Sequence, residues 1–439
     1  MDRISALPPP IIETILCLLP IKVAVRTSIL SREWKYRWTK IPKLSFKENA
    51  FKLSADGTDQ LSILEKTFKF SHLGNVMIRR CKFFNAINQV LLFHQGPLLE
   101  FSLSAFCLDS IKGEICVELD QIISHLSRRN TVKIFSVDLN ETSEYRLPLS
   151  IFSLHQLTNL HLHKGCMYRQ PPFNGFRNLT SLYLHDVKFS TKTLLHLVSS
   201  CPLLKSFTLF ISEDDILGND VFSIADLLEC LPVIEHLITC LWVSQCFSVD
   251  SLPQELPIYL VHLKYLRIDD MCLLDSGGLP LLFFLIRCSP NLEKLELHIH
   301  GDLATDSVFL EMLKDDPVTL ERYSDIWLKN LNELKIDEFI DFKLYLEFVQ
   351  LILANSPMLK KVSIRLFDEV TADEESNISR ILLHSSRASG AAKLIVKRTM
   401  TMMGFFLARV KYDGNHVIVI DHQDNFIDKE MIQRRLQHE

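Results

Sequence analysis

The sequence feature that most constrains the fold is a short apolar motif, Leu-x-x-Leu-x-Leu or a close variant, which recurs along most of the 439 residues. Clear copies begin at Leu157, Leu179, Leu204, Leu263, Leu292, Leu331 and Leu359, and weaker ones at Leu98, Val132 and Ile234. Most neighbouring copies start 22 to 29 residues apart. A period of this size predicts a stack of similar small units.

The residues before the motif indicate what each unit contains. Four copies follow a helical run that ends in a proline two residues before the first apolar position, namely Pro202, Pro232, Pro290 and Pro357. A proline there ends the helix and favours an extended chain after it. The sequence therefore predicts an α/β fold, a curved leucine-rich-repeat solenoid with parallel strands on its concave side and helices on its convex side. Helices are expected at residues 115–127, 191–200, 224–230, 279–287 and 344–354.

The residues that alternate with the apolar positions are expected to line the concave face, since successive strand residues point to opposite sides. Each could equally be an ordinary solvated position. Polar and aromatic side chains in such a row suit recognition of a partner, so we select as candidate binding residues His161, His163, Tyr183, His185, Phe210, Tyr265, Arg267, Glu296, Lys335 and Arg365.

The first 46 residues have a different pattern and are predicted to form a small helical unit. A proline-led helix with a wide apolar face ends at Pro20, a second follows, and Ser31 is expected to cap a third helix that carries Trp34 and Trp38 on one face. So small a unit cannot bury all of its apolar side chains alone. Part of this apolar surface is therefore expected to bind a partner.

Basic residues are concentrated in the same N-terminal segment. The whole chain has a formal net charge of −5, yet the segment 22–43 contains a single acidic residue, Glu33, among seven basic ones: Lys22, Arg26, Arg32, Lys35, Arg37, Lys40 and Lys43. Binding of the chain to nucleic acid or an anionic membrane is not expected at this overall charge. The N-terminal segment is instead predicted to bind an acidic partner.

The same residues resemble a plant F-box. The match runs from Asp2-Arg3-Ile4-Ser5-x-Leu7-Pro8, through Ile15-Leu16-x-Leu18-Leu19-Pro20, to Arg26-Thr27-Ser28-Ile29-Leu30-Ser31-x-x-Trp34-x-x-x-Trp38. The resemblance implies docking onto the Skp1 adaptor, which is acidic, and through it onto the cullin of a ubiquitin ligase. Carried over by position, the Skp1-binding residues would be Leu7, Pro8, Ile12, Ile15, Leu16, Leu19, Pro20, Val25, Ser28, Leu30 and Trp34.

Toward the C-terminus, residues 327–397 are similar to the FBD region that closes many plant F-box proteins with leucine-rich repeats. The similarity rests on Leu331-x-x-Leu334-x-Ile336, on Phe348-Val349-x-x-Ile352-Leu353 and on Ser386-Arg387-Ala388-Ser389. We therefore expect an F-box at 1–46, a solenoid at 47–326, an FBD-like cap at 327–397 and an unassigned tail at 398–439. A turn signal at Tyr412-Asp413-Gly414-Asn415 predicts a hairpin in this tail, followed by a helix at 425–437.

Several function classes are disfavoured. The chain lacks phosphate-binding GxGxxG and GxxxxGK[ST] motifs, and no apolar run approaches the length of a membrane span. Eleven cysteines without a CxxC pair indicate reduced thiols and a cytoplasmic or nuclear location. His161, His163 and His185 could approach one another on neighbouring strands, but no fourth ligand or supporting carboxylate is evident. No metal, cofactor or catalytic residue is predicted.

Together the residues and the resemblance predict a non-catalytic substrate receptor of an SCF-type (Skp1-cullin-F-box) E3 ubiquitin ligase. In this interpretation the F-box docks Skp1 and the solenoid binds a target protein. The alternative is a leucine-rich-repeat scaffold that binds a protein without any role in ubiquitin transfer.

Overall fold

The computed structural model describes residues 7–48, 72–105, 117–139, 145–167, 175–212, 215–216, 224–240, 259–273, 277–299, 320–368, 370–398, 409–413 and 416–420. These fall into two compact units, Met1–Leu263 and Lys264–Glu439. Each unit combines helices with a parallel sheet, so the predicted α/β class with parallel strands is confirmed.

The first unit begins with two helices, α1 (Pro9–Leu18) and α2 (Ile21–Arg26). Short 3₁₀ turns follow at Thr27–Ile29 and Arg37–Lys40, and strand β1 (Lys43–Lys47) comes directly after them. Strand β1 thus starts inside residues 1–46, the segment predicted to be a separate helical unit. This segment therefore continues directly into the sheet.

The third predicted helix is absent from this described segment. The Ser31 hydroxyl caps nothing and is buried without a hydrogen-bond partner. Backbone bonds instead join residues three apart, as in Trp34 N–H to the Ser31 carbonyl at 3.2 Å. This tighter winding leaves Trp34 and Trp38 both buried, 4% and 8% exposed. Burial of the two indoles therefore accompanies 3₁₀ turns where sequence reasoning expected an α-helix.

The described remainder of the first unit contains four further α-helices and eight further strands. The helices are α3 (His72–Phe93), α4 (Val117–Arg129), α5 (Thr191–Ser199) and α6 (Ile224–Glu229). The strands are β2 (Glu100–Ala105), β3 (Ile134–Leu139), β4 (Asn159–His163), β6 (Ser181–His185), β8 (Ser206–Phe210) and β9 (His236–Cys240), and a short pair is formed by β5 (Cys166–Met167) and β7 (Lys188–Phe189). Strands β1, β2, β3, β4, β6, β8 and β9 lie side by side in that order, and every pair is parallel.

The apolar motif forms the core of this unit. Its middle positions lie in register from strand to strand, as in Leu160 beside Leu182 and Leu182 beside Phe207. Toward β1 this row continues through Phe135 to Phe101, whose rings lie 5.9 Å apart, and the Phe101 ring also lies 5.8 Å from Phe46. All of these side chains are at most 2% exposed. The predicted apolar ladder is thus present, with each motif copy packed against its neighbours.

The second unit repeats the pattern. Its strands are β10 (Tyr265–Met271), β11 (Lys294–Ile299), β12 (Glu333–Phe339), β13 (Lys361–Leu366) and β14 (Lys393–Arg398), paired in parallel in chain order. Its helices are α7 (Gly278–Cys288), α8 (Lys343–Asn355) and α9 (Ala372–His384). Helix α9 begins with a capping box between Thr371 and Glu374.

Strands β15 (Arg409–Asp413) and β16 (His416–Ile420) pair antiparallel, which confirms the predicted hairpin. The helix predicted at 425–437 lies outside the described residues. Among the helices that the structure describes, none is long and apolar enough to cross a membrane.

A backbone feature recurs at the sixth position of the repeat, counted from the first residue of the strand. Lys164, Asp186, Asp270 and Glu338 occupy this position with φ of 64°, 51°, 54° and 62°. Left-handed backbone is uncommon for residues other than glycine. Its recurrence shows that the repeat turns the chain at the same point after these strands, which places Asp186 at the end of β6.

Candidate functional site

Helix α1 has a buried face and an exposed apolar face. Ile12 and Leu16 are 1% and 0% exposed, whereas Ile11, Ile15 and Leu18 are 47%, 36% and 80% exposed. Residues four and three apart share one side of a helix. The exposed side of α1 is therefore a continuous apolar stripe.

More apolar side chains are exposed after α1: Val23 at 43%, Ile29 at 83% and Leu30 at 70%. We call Ile11, Ile15, Leu18, Val23, Ile29 and Leu30 the N-terminal apolar face. Single exposed apolar residues are ordinary, but several within 20 residues of chain are typical of a binding surface.

The eleven residues carried over from the F-box pattern lie in three environments. Pro8, Ile15, Pro20 and Leu30 are exposed, Leu7, Leu19, Val25 and Ser28 are half-buried, and Ile12, Leu16 and Trp34 are buried within this chain. Sequence reasoning missed Ile11, Leu18, Val23 and Ile29 as exposed positions. The helical spacing of Ile11, Ile15 and Leu18 was the signal that could have identified part of this face.

Basic side chains alternate along the chain with the residues of the N-terminal apolar face and continue after it. Lys22, Arg26, Arg32, Lys35 and Lys40 are exposed, and Arg37 and Lys43 are half-buried. Lys43 forms an ion pair with Glu100 at 2.7 Å, and Arg37 lies over the Trp34 ring at 5.7 Å. The five exposed cations keep this surface positive.

The N-terminal segment is fastened to the rest of its unit at the end of α3. The His94 Nε2 lies 2.8 Å from the Ile41 carbonyl oxygen, so Nε2 carries the proton and donates it. Arg129 then donates to His94 Nδ1 at 3.2 Å and to the His94 carbonyl at 2.9 Å. Burial lowers the pKa of His94, which favours this neutral form. The arrangement fixes the end of the N-terminal segment against α3 and α4.

A second cluster lies on the sheet of the first unit, on the side opposite the buried leucines. We call His161, His163, Tyr183, His185 and Phe210 the imidazole-aromatic patch. The His161 and Tyr183 rings stack at 3.9 Å, and the His163 and His185 rings stack at 4.6 Å. Phe210 lies 5.0 Å from the His185 ring. The parallel register of β4, β6 and β8 brings these five predicted residues together.

Two carboxylates flank the patch. Asp138, on β3, accepts a hydrogen bond from His163 Nδ1 at 2.7 Å and one from the Ser104 hydroxyl at 3.1 Å. Burial raises the pKa of Asp138, but the hydrogen bond and charge of His163 outweigh it and hold that pKa below its usual value. Asp186 lies at the other side and faces both His163 and His185. Sequence reasoning missed both carboxylates.

Burial lowers the pKa of His161 to about 4, so this ring is neutral at neutral pH and stacks on Tyr183 as an aromatic group. Within the described ranges, the group whose ligand atoms lie close enough for a metal ion is His163, His185 and Asp186, with the atoms within 4.8 Å of one another.

The second unit carries a row of charges at the corresponding positions. We call it the charged ladder; its members are Arg267, Asp269, Lys294, Glu296, His298, Glu333, Lys335, Asp337, Lys361 and Arg365. Glu296 and Asp337 are 5% and 3% exposed. Lys294 and Lys335 approach Glu296 at 2.6 and 3.4 Å, and Arg365 approaches Asp337 at 2.9 Å.

Acidic and basic side chains of the charged ladder pair with one another, so their charges largely cancel. Burial raises the pKa of Glu296, but hydrogen bonding to Lys294 and the charge of Lys335 lower it to about 2. Lys294 also lies 5.2 Å from the centre of the Tyr265 ring. The predicted binding residues Tyr265, Arg267, Lys335 and Arg365 are half-buried in this network and Glu296 is buried, because each side chain packs against its neighbours across the strands.

Part of the first unit matches a known protein family. Residues 119–218 match the family model described as "FBD-associated F-box protein At5g56370, LRR repeats". This segment begins within α4, extends past β8 and includes the imidazole-aromatic patch. The leucine-rich repeats predicted from the apolar motif are confirmed there.

Relatives in Arabidopsis thaliana extend the similarity. F-box/FBD/LRR-repeat protein At1g13570 is 28% identical over 90% of this chain and 98% of its own length. FBD-associated F-box protein At5g56370 is 28% identical over 71% of this chain and 62% of its own length. Putative FBD-associated F-box protein At5g56440 is 29% identical over 49% of this chain and 44% of its own length. The match therefore spans about half of that relative. The resemblance seen in the sequence is thereby confirmed: this chain is similar to the plant F-box/FBD/leucine-rich-repeat proteins.

Proposed function

We propose that the chain is a substrate-recognition subunit of an SCF-type ubiquitin ligase. The N-terminal apolar face would dock a Skp1-like adaptor, and through it a cullin, while the strand face predicted to be concave would bind a target protein. The observation that carries this proposal is the N-terminal apolar face with the basic side chains of the same segment, in a chain whose relatives are named F-box proteins.

The arrangement of exposed and buried residues supports docking through a preformed surface. Ile12, Leu16 and Trp34 are buried inside the chain and hold α1 and the turns in place. Leu18, Ile29 and Leu30, at 70% to 83% exposed, are free to enter pockets on a partner. A few large side chains of this kind usually carry most of the binding energy of an interface.

The mechanism would be tethering. A receptor that holds a target and a ligase core together raises the effective concentration of the target's lysines at the ubiquitin donor. The chain itself would supply no catalytic group. The contacts of His94 with Ile41 and Arg129 support this role, since a fixed junction limits the orientations that the bound target can adopt.

A pull-down with a plant Skp1 homologue tests the proposal. We expect the wild-type chain to be retained and the double variant Leu18→Asp/Leu30→Asp to be lost, since each substitution removes an apolar anchor worth about 2 kcal/mol or more. The matched control is Leu383→Asp, because Leu383 is 60% exposed on α9 of the second unit. Thermal unfolding of all variants verifies that they are folded.

Failure of the wild type to bind, or equal binding by the double variant, would contradict Skp1 docking and favour the scaffold without a ligase role. If docking holds, the double variant also serves to find targets. Proteins that accumulate when it replaces the wild type, and that still bind it, are candidates for the substrate.

A further inference from the structure

The structure assigns a divalent transition-metal site to His163, His185 and Asp186 at the ends of β4 and β6. The site would take Zn²⁺ through His163 Nε2, His185 Nε2 and the Asp186 carboxylate. It lies in the first unit, apart from the N-terminal apolar face, and it does not depend on the proposed ligase function.

The first argument is the direction in which His163 presents its nitrogens. Its Nδ1 lies 2.7 Å from Asp138 Oδ1, and an ionised carboxylate can only accept, so the proton is on Nδ1. A neutral ring in this tautomer has its lone pair on Nε2, which faces Asp186. A carboxylate that holds the far nitrogen of a histidine is the usual support for a zinc-bound imidazole.

His185 is oriented in a similar way from the other side. Its Nδ1 lies 3.1 Å from the Tyr183 hydroxyl, which can accept the Nδ1 proton and leave the Nε2 lone pair toward Asp186. The ring is further held between His163 at 4.6 Å and Phe210 at 5.0 Å. Both imidazoles are therefore fixed by packing and hydrogen bonds before any ion binds.

The third argument is the spacing around Asp186. Its Oδ1 lies 3.7 Å from His185 Nε2, and its Oδ2 lies 3.9 Å from His163 Nε2. Both distances exceed the roughly 2.7–3.2 Å of a hydrogen bond. Ligands about 2.0–2.1 Å from a tetrahedral zinc lie about 3.3 Å apart. The two contacts of Asp186 would each shorten by about half an ångström, and the three ligand atoms, now within 4.8 Å of one another, would approach by at most about 1.5 Å to close the site around an ion.

The exposure of the three groups leaves room for an ion to enter. The side chains of His163 and His185 are 12% and 27% exposed, and that of Asp186 is 41% exposed. Three protein ligands leave one position of a tetrahedral ion open to water. The carboxylate that was not evident from the sequence is supplied by the left-handed residue after β6, and the supporting carboxylate by β3.

Metal titration of the purified full-length chain tests the assignment. The protein is stripped with a chelator and titrated with Zn²⁺ against a chromophoric competitor, and with Co²⁺ to record its visible absorption. We expect the wild type to bind one equivalent that His185→Gln and Asp186→Asn both lose. Asp138→Asn should weaken binding about 10- to 100-fold, as loss of a supporting carboxylate usually does.

The matched control is His161→Gln, since His161 lies on the same strand and stacks on Tyr183 outside the proposed ligands; it should keep the equivalent. The eleven cysteines of the chain can bind Zn²⁺ as well, so the result is read as the difference between variants. Circular dichroism checks folding, and Asp186→Asn preserves the test if a histidine variant unfolds, because asparagine tolerates left-handed backbone. Equal stoichiometry in the wild type and Asp186→Asn, or equal loss in His161→Gln, overturns the assignment.

Discussion

Arg267 and Asp269 lie two residues apart on β10 and are joined by two hydrogen bonds, Nε to Oδ1 at 2.7 Å and Nη2 to Oδ2 at 2.8 Å. Their side chains are 17% and 6% exposed. Paired bonds of this kind match the planar shapes of both groups and are among the stronger polar contacts in proteins. The pair makes the edge of the charged ladder a rigid, compensated surface.

Removal of one partner should therefore destabilise the second unit. We expect Arg267→Met to lower the free energy of unfolding by about 3 kcal/mol, because it leaves the Asp269 carboxylate buried without the guanidinium group that donates two hydrogen bonds to it. Denaturant titration measures the loss. Lys343→Met is the control: Lys343 is 90% exposed in its pair with Glu347, and such a surface pair contributes less than about 1 kcal/mol. Equal effects of the two substitutions would contradict the structural role of the Arg267 pair.

His298, in the middle of the charged ladder, should make the stability of the second unit depend on pH. Burial lowers its pKa to about 3. The unfolded chain has an ordinary histidine pKa near 6.5 and binds the proton more readily, so stability falls as the pH decreases from about 6.5 toward 3. The charged groups that face the ring are Arg267 and Asp269 on β10, Glu296 on β11, and Lys335 and Asp337 on β12.

The substitution His298→Gln removes this titration. We expect its melting temperature to change less than that of the wild type between pH 6.5 and pH 4.5, a range above the acidic window in which Glu296 titrates. Calorimetry or circular dichroism at a series of pH values measures the slopes. A variant slope as steep as that of the wild type would show that other groups cause the acid sensitivity.

The apolar half of the fold could be predicted from the sequence, and most of the polar detail could not. Leu160, Leu182 and their equivalents repeat at a period typical of leucine-rich repeats, and the prolines before four of the copies indicate where helix gives way to strand, so the parallel sheet could be predicted. Ser31 was misread because serine before a run of large residues is a good helix cap locally, while burial of both indoles is decided by tertiary packing. Helix α3 was missed although Phe83, Ile87 and Leu91, all buried, have helical spacing.

The carboxylates around the imidazole-aromatic patch show why the site was harder to predict. Asp138 belongs to a neighbouring strand, and its contact with His163 depends on strand order. Asp186 has left-handed backbone after β6 and lies close to two histidines of the patch. Neither fact can be derived from residue spacing in a single sequence.

The junction between the N-terminal segment and the sheet gives a third prediction. We expect Arg129→Leu to lower the free energy of unfolding by about 1–3 kcal/mol, because His94 Nδ1 and the His94 carbonyl each lose a donor. Arg128→Leu is the control, since Arg128 is the exposed neighbour on α4. Chemical denaturation compares the two variants. Indistinguishable stabilities would argue against a junction held by Arg129.

Gly175, which precedes β6 and lies close to the Ser200 backbone, gives a fourth prediction. It has φ of 92°, and a Cβ there would lie 2.2 Å from the Ser200 carbonyl oxygen. Both strain and overlap oppose a side chain, so Gly175→Ala should cost about 2 kcal/mol or more. At Gly390 a Cβ would have no neighbour within 4 Å, so Gly390→Ala should be neutral or slightly stabilising. Thermal unfolding measures both, and a neutral Gly175→Ala would contradict the close approach.

The basic side chains that accompany the N-terminal apolar face along the chain should govern how fast the proposed acidic adaptor binds. Arg32 and Lys35 are exposed, and exposed charges at the border of an interface act mainly by steering the approach of the partner. We expect Arg32→Glu/Lys35→Glu to slow association with a Skp1 homologue about 10-fold at low salt while changing dissociation little. The difference should shrink as ionic strength rises, because the screening length falls to about 8 Å at 0.15 M salt. Surface plasmon resonance at several salt concentrations separates the two rates. The control is Lys329→Glu/Lys360→Glu, a reversal of two exposed charges outside the strands of the second unit, which should leave association unchanged. Loss of affinity through faster dissociation alone would place Arg32 and Lys35 inside the contact and contradict a steering role.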